Sequence, residues 1–152
     1  MISDGTTLLS AGPDAVRAVL TDPSRLIPAL PNVEDFAWDD RAAGRFTATV
    51  RPRLALGDVV FRTDWTVHAP VPHAVTFEVE GRGEEHRLAM VLRLDIAAEG
   101  SGSRITWSAD YAVSGTMRAV GQRVLPAIVA AQARLALAAV DRQAAEGPAA
   151  AV

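Results

Sequence analysis

Two periodicities divide this chain. From Arg45 to Val113 apolar residues recur at every second position, and from Gly115 to Gln143 they recur every three or four. Successive side chains of a pleated strand point to opposite faces, whereas an α-helix returns to the same face after 3.6 residues. The first region therefore reads as strands with one apolar face each, and the second as one long helix. Phe46, Ala48 and Val50 alternate with Arg45, Thr47, Thr49 and Arg51. Val59, Phe61, Trp65 and Val67 share a phase opposite Arg62 and Asp64. Val75, Phe77 and Val79 oppose Thr76, Glu78 and Glu80. Leu88, Met90, Leu92, Leu94 and Ile96 form the longest alternation, and Ile105, Trp107, Ala109, Tyr111 and Val113 close the series. The breaks between them ("DDRAAG", Gly57, "APVPH", "EGRGEEH", "AEGSGS") are short and turn-like. Short turns join antiparallel neighbours.

Ahead of this block, Ile2–Ser10 suits a first strand. Gly12-Pro13 starts a short helix over Pro13–Thr21, because proline fits the first helical position and Asp14 complements the helix dipole. Asp22-Pro23 repeats the device in "DPSRLIPALPN", where Pro28 ends or distorts a second small helix and Pro31-Asn32 turn the chain into a strand over Val33–Asp39. The terminal helix, Gly115–Gln143, would be about 43 Å long. Ser114-Gly115 is expected to cap it and Pro126 to bend it. Val120, Val124 and Ile128 form its apolar stripe, with Gln132 as a polar interruption. A sheet with one apolar face needs a cover, which the long helix supplies, while the short helices close an open end. Either a packed core or a cavity then lies between sheet and helix.

The 152 residues suffice for one domain, expected over residues 1–143 with a flexible tail over 144–152. The chain has no cysteine, which removes disulfides, thiolate nucleophiles and cysteine-ligated metals. A net charge of -3 without a basic block argues against a nucleic-acid partner. The N-terminus lacks the basic segment of a secretory signal, and the apolar run Val124–Ala131 is too short to span a bilayer. A cytoplasmic location is the expectation.

Few residues suggest chemistry. His68, His73 and His86 match no metal-binding spacing, and no metal or cofactor is expected. His86 is in phase with Leu88 and Met90, so it is a candidate at a cavity mouth, although a turn histidine explains it equally. Asp64 and Asp110 fall on the polar phase, and Glu84-Glu85 in a polar turn. Arg51, Arg53 and Arg62 suggest a basic patch on the outer face or simply a solvated one. Phe46, Phe61, Trp65, Phe77, Met90, Trp107 and Tyr111 all take the apolar phase of their strands. Core packing and the lining of an apolar pocket both account for them, and the pattern leaves the two open.

The order of elements resembles the helix-grip, or START-like, fold: an α+β domain whose curved antiparallel sheet wraps around a long C-terminal helix, with two short helices after the first strand. "DPSRLIPALPN", the lead-in from Gly5 to Pro13, the "GRG" of Gly81–Gly83, "ITWSADYAVSG" and "GQRVLPAI" together resemble the carbon monoxide dehydrogenase G-subunit family, within the polyketide cyclase-like superfamily. The resemblance runs from about Gly5 to Arg142. Two departures stand out. Asn32 occupies a position where the family has glycine, and Glu84, Glu85, His86 and Arg87 replace small residues. Asparagine tolerates the left-handed backbone region, so the turn can survive.

The resemblance implies service to a carbon monoxide dehydrogenase or related molybdenum hydroxylase, in maturation, membrane attachment or electron transfer to quinones. It implies location at the inner face of a membrane, reached by transient contact through the short helices, and leaves a homodimer open. Three functions follow. The first is non-enzymatic binding of a lipid or quinone-like molecule between sheet and long helix. Its candidate contacts are Leu26, Ile27, Leu30, Phe46, Phe61, Trp65, Phe77, His86, Met90, Trp107, Tyr111, Val120, Val124 and Ile128. The second is an assembly or recruitment factor working through protein contacts with hydroxylase subunits. The third is a cyclase-, dehydratase- or hydrolase-like enzyme, with His86, Tyr111 and Arg123 as the nominated polar groups.

Overall fold

The computed structural model describes residues 1–51, 53–54, 57–58, 60–115 and 118–146, without the side chains of 53–54, 57–58 and 119–122. The chain begins with strand β1 (Ile2–Leu9) and helices α1 (Pro13–Leu20) and α2 (Pro23–Ala29). Strands β2 (Val33–Asp40), β3 (Arg45–Val50), β4 (Arg53–Leu54) and β5 (Gly57–Asp58) follow. Then come β6 (Phe61–Val71), β7 (Ala74–Arg82), β8 (His86–Glu99), β9 (Gly102–Gly115) and the long helix α3 (Arg118–Glu146). Seven strands form one antiparallel sheet in the order β1-β9-β8-β7-β6-β3-β2, and β4-β5 make a separate small hairpin. This is the expected helix-grip architecture.

Alternation places the side chains as expected. Along β9, Ile105, Trp107, Ala109 and Tyr111 are buried and their neighbours are exposed. Phe46, Ala48, Val75, Phe77, Val79, Leu94 and Ile96 bury the same face on other strands. The opposite face carries exposed ion pairs, among them Arg82–Asp64 (3.1 Å), Arg93–Asp95 (3.0 Å) and Arg51–Glu34. The arginines there are interleaved with carboxylates, so Arg51 belongs to mixed surface charge and not to a basic patch. Arg62 likewise sits beside Asp64 and Asp35 in a shallow polar depression. The side chain of Arg53 and all of Val59 lie outside the described residues.

Some expected boundaries move for identifiable reasons. "APVPH" does not break the chain: Ala69-Pro70-Val71 complete β6, and the turn is at Pro72-His73. Pro70 is tolerated because β3 has ended by then, and the β6–β7 register shifts between His68 and Val71. Arg17 of α1 donates to the Ala69 (3.2 Å) and Val71 (3.3 Å) carbonyls of this end. Ser114 and Gly115 do not cap α3; they are the last residues of β9. The terminal helix keeps its expected length but starts at Arg118 and runs through Pro126 to Glu146. The side chain of Asp22 does not cap α2; its Oδ1 accepts a hydrogen bond from the Ser24 hydroxyl, while its carbonyl accepts from the Arg25 and Leu26 amides (both 3.0 Å).

α3 is gripped unevenly. Its C-terminal half contributes Leu137, Ala139 and Val140 to the core. Asp141 accepts hydrogen bonds from the Ser10 and Ala11 amides (both 3.0 Å), tying the helix to the β1–α1 turn. Arg25 of α2 donates to the Gln143 carbonyl (2.9 Å). Toward the N-terminal half no residue from Arg123 to Gln132 is fully buried. Within Arg123–Glu146 the most apolar 18-residue window has a mean hydropathy of 1.6, so the helix is long and apolar enough by length and composition to cross a bilayer. The run Val124–Ala131 understated this because the alanines beyond Gln132 extend it.

Candidate functional site

Between the apolar face of the sheet and the N-terminal half of α3 lies a cavity of about 260 Å³. Each wall follows from a local pattern already described. β6 contributes Phe61, Thr63 and Trp65, and β7 contributes Phe77 and Val79. β8 adds Leu88, Met90, Leu92 and Leu94, and β9 adds Trp107, Ala109, Tyr111 and Val113. α2 and its exit supply Leu26, Leu30, Pro31, Asn32 and Val33, and β3 supplies Val50. α3 closes the top with Leu125, Ile128, Val129, Gln132, Ala133 and Ala136. The small Ala133 and Ala136 leave space where leucines would fill it.

The cavity has a closed and an open end. Phe77, Leu94 and Trp107 are buried, whereas Leu88, Met90, Val113, Leu125 and Asn32 are half-buried and mark the mouth. Asn32 adopts φ = 62°, the left-handed conformation that a glycine would take more cheaply. Its carbonyl accepts from the Arg51 amide (2.8 Å), so the turn at the mouth is pinned to the end of β3.

Polar groups are few. The buried Thr63 hydroxyl donates to the Ala48 carbonyl (2.7 Å) and accepts from the Trp65 indole N–H (2.6 Å). The Tyr111 hydroxyl lies 3.0 Å from the Ser3 hydroxyl. The Trp107 indole rests on Gly5, where a Cβ would stand 2.9 Å from its ring atoms. No Asp, Glu, His, Lys or Arg is among the described lining residues. Among the described residues no group of acidic and histidine side chains gathers as a metal site.

Of the candidate contacts, Leu26, Leu30, Phe61, Trp65, Phe77, Met90, Trp107, Tyr111 and Ile128 stand on the cavity wall. Others do not. Ile27 is fully buried in the core cluster with Val16, Val19 and Leu20, so α2 is wedged in place by one side chain while Leu26 and Leu30 face the void. Phe46 packs behind the wall, stacked on Trp65 at 5.5 Å and tilted against Phe36. His86 sits outside the mouth, edge-on to Phe61 at 4.6 Å, with Nε2 3.4 Å from the Val60 carbonyl. Gly83 makes that position available, since a Cβ there would collide with the imidazole. Val124 is 42% exposed, and Arg123 is also exposed. The side chain of Val120 lies outside the described residues.

The error in the α3 stripe has a geometric cause. Spacing of strictly four residues drifts about 40° around a helix at each step. The series Val120, Val124, Ile128 therefore rotates off the face it is meant to track. The true stripe follows the i, i+3, i+4, i+7, i+8, i+11 pattern, its steps alternating three and one, through Leu125, Ile128, Val129, Gln132, Ala133 and Ala136. That alternation was available in the sequence. Leu88, Leu92 and Leu94, also on the wall, share the phase of Met90 and could have been nominated with it.

Comparison with known proteins agrees with the architecture. A conserved protein from Geobacillus kaustophilus superposes with a TM-score of 0.85 at 17% identity, covering 96% of each chain. The Zhui aromatase/cyclase from Streptomyces sp. R1128 gives 0.74 at 13% identity, over 99% of this chain and 98% of that one. A START superfamily protein from Mycobacterium smegmatis gives 0.68 at 12% identity, over 95% and 97%. At such identities these likenesses establish the fold. No curated protein matches the sequence. The sequence model for the carbon monoxide dehydrogenase G-subunit (CoxG), however, matches residues 5–145, nearly the whole helix-grip domain, and the chain belongs to that family.

Proposed function

We propose that the protein is a non-catalytic carrier that encloses a hydrophobic small molecule, of lipid or quinone-like character, under α3. The observation that carries this is the cavity itself: about 260 Å³ of apolar-walled space beside a well-packed core. Dry apolar cavities are destabilising unless something fills them. The size is just below the usual range for drug-sized ligands, so it suits a ring system or chain end, with the remainder leaving through the mouth at Asn32 and Leu88. A bicyclic group burying about 150–250 Å², as an aromatic side chain does, gains roughly 4–6 kcal/mol at about 25 cal/mol per Å². Immobilising the ligand offsets part of that gain, so the group alone binds no tighter than about 40 μM before any contribution from a tail.

Family membership supports a place beside a carbon monoxide dehydrogenase or related molybdenum hydroxylase, to which the carrier would bring its cargo. The cyclase-like alternative has less support. Among the described lining residues Tyr111 alone carries a group able to exchange a proton, and its hydroxyl is engaged by Ser3. Organic extraction of the purified protein with mass spectrometry tests the carrier reading, together with titration of apolar ligands against Trp65 and Trp107 fluorescence. Co-purifying lipid or saturable quenching is expected. Neither appearing would overturn it, and recovery of hydroxylase subunits in a pull-down would then favour a recruitment factor.

A further inference from the structure

The polar groups of the cavity wall differ in one respect. Thr63, Trp65 and Tyr111 already have protein partners. Gln132 does not: among the described residues its carboxamide makes no hydrogen bond, although it lies half-buried on the cavity stripe of α3, between Val129 and Ala133. A carboxamide offers two donors and an acceptor, and on this apolar stripe no protein group takes them up. Helix formation does not require it there, because leucine is at least as good a helix former. A ligand group facing Gln132 would satisfy it. An ionised ligand would meet no compensating charge in this wall and would lose its hydration.

Resting on the carrier reading, we propose that Gln132 is the specificity-determining residue of the cavity. It selects neutral ring compounds bearing a carbonyl or hydroxyl over hydrocarbons of the same shape and over carboxylates. Two other lining groups are available as alternatives. Asn32 is half-buried as Gln132 is, but it stands in the turn that leaves α2 and not on the α3 stripe that covers the cavity. The Trp107 indole N–H has no partner among the described residues and lies against Gly5.

The test is calorimetric titration of tetralin, 1-tetralone and 1-naphthoate into the wild type, Gln132→Leu, Gln132→Met and Trp107→Phe. The quantity read is the ratio of tetralin Kd to tetralone Kd, compared between proteins so that the intrinsic hydrophobicities cancel. Loss of one neutral hydrogen bond should lower that ratio about threefold to tenfold in both Gln132 variants, with tetralin binding retained as the control for folding. 1-Naphthoate should bind most weakly to the wild type. A ratio unchanged within about twofold, or lowered by Trp107→Phe alone, overturns the assignment to Gln132 and leaves the cavity as a binding site. Absence of binding by all three compounds to the folded wild type overturns the carrier reading and this proposal with it.

Discussion

The C-terminal half of α3 is held on several sides, while its N-terminal half spans a void. Leu137, Ala139 and Val140 are packed, Asp141 caps the β1–α1 turn, and Arg25 binds the Gln143 carbonyl. Leu125, Ile128 and Val129 instead face open space, and Pro126 removes one helical hydrogen bond in the same stretch. One helix therefore does two jobs. Its second half closes the domain, and its first half roofs the cavity with no fully buried residue from Arg123 to Gln132. Local opening free energies follow such differences in packing.

The comparison can be broken most sharply by paired truncations. Leu137→Ala should cost about 3 kcal/mol in urea denaturation, as for a buried leucine whose neighbours cannot collapse. Leu125→Ala should cost about 1 kcal/mol, because the removed atoms already face space. Equal costs would mean that the halves are not different.

Next in size is Asp141→Ala. It leaves the Ser10 and Ala11 amides without their carboxylate and should cost about 1–2 kcal/mol. Hydrogen exchange should show faster opening near β1 and the end of α3, with the cavity roof little changed. A third change sharpens the site side. Ala133→Leu adds three carbons into the void, so Tm should hold or rise while tetralin affinity falls at least about tenfold by calorimetry. A fall in Tm with intact binding would show that the cavity is not where Ala133 faces. The smallest effect belongs to Val124→Gln, on the exposed side of the same half-helix. Stability and binding should change by less than about 0.5 kcal/mol in parallel denaturation and titration measurements.

Much of this architecture was legible in the sequence. Strict alternation assigns a side chain to a face, so the inward set on β9 and β8 could be read directly. What alternation cannot say is whether the space in front of a side chain is filled. Phe46 and Trp65 are cross-strand partners of the same phase, yet Trp65 faces the void and Phe46 is packed behind it. Ile27 and Leu26 are adjacent in one short helix and point to different surroundings for the same reason. The family departure at Asn32 was readable, and its φ of 62° agrees with the turn inferred there. The position of β9's end was not, because Ser114-Gly115 satisfies a helix cap and a strand end equally well on composition. Gln132 was visible as an oddity in an apolar stripe, but its lack of a partner is a tertiary fact.

The contact between Gly5 and Trp107 bears on how such a cavity can change size over generations. Gly5 is on an edge strand and is not one of the cavity-lining residues, yet the indole that forms the closed end rests on its backbone. A methyl group there would stand 2.9 Å from the ring, closer than side-chain carbons pack, and would force the indole to shift against the space it lines, with every wall residue unchanged. A selection for carriers of smaller cargo should therefore return substitutions at position 5, on a strand that a search confined to pocket residues would leave untouched.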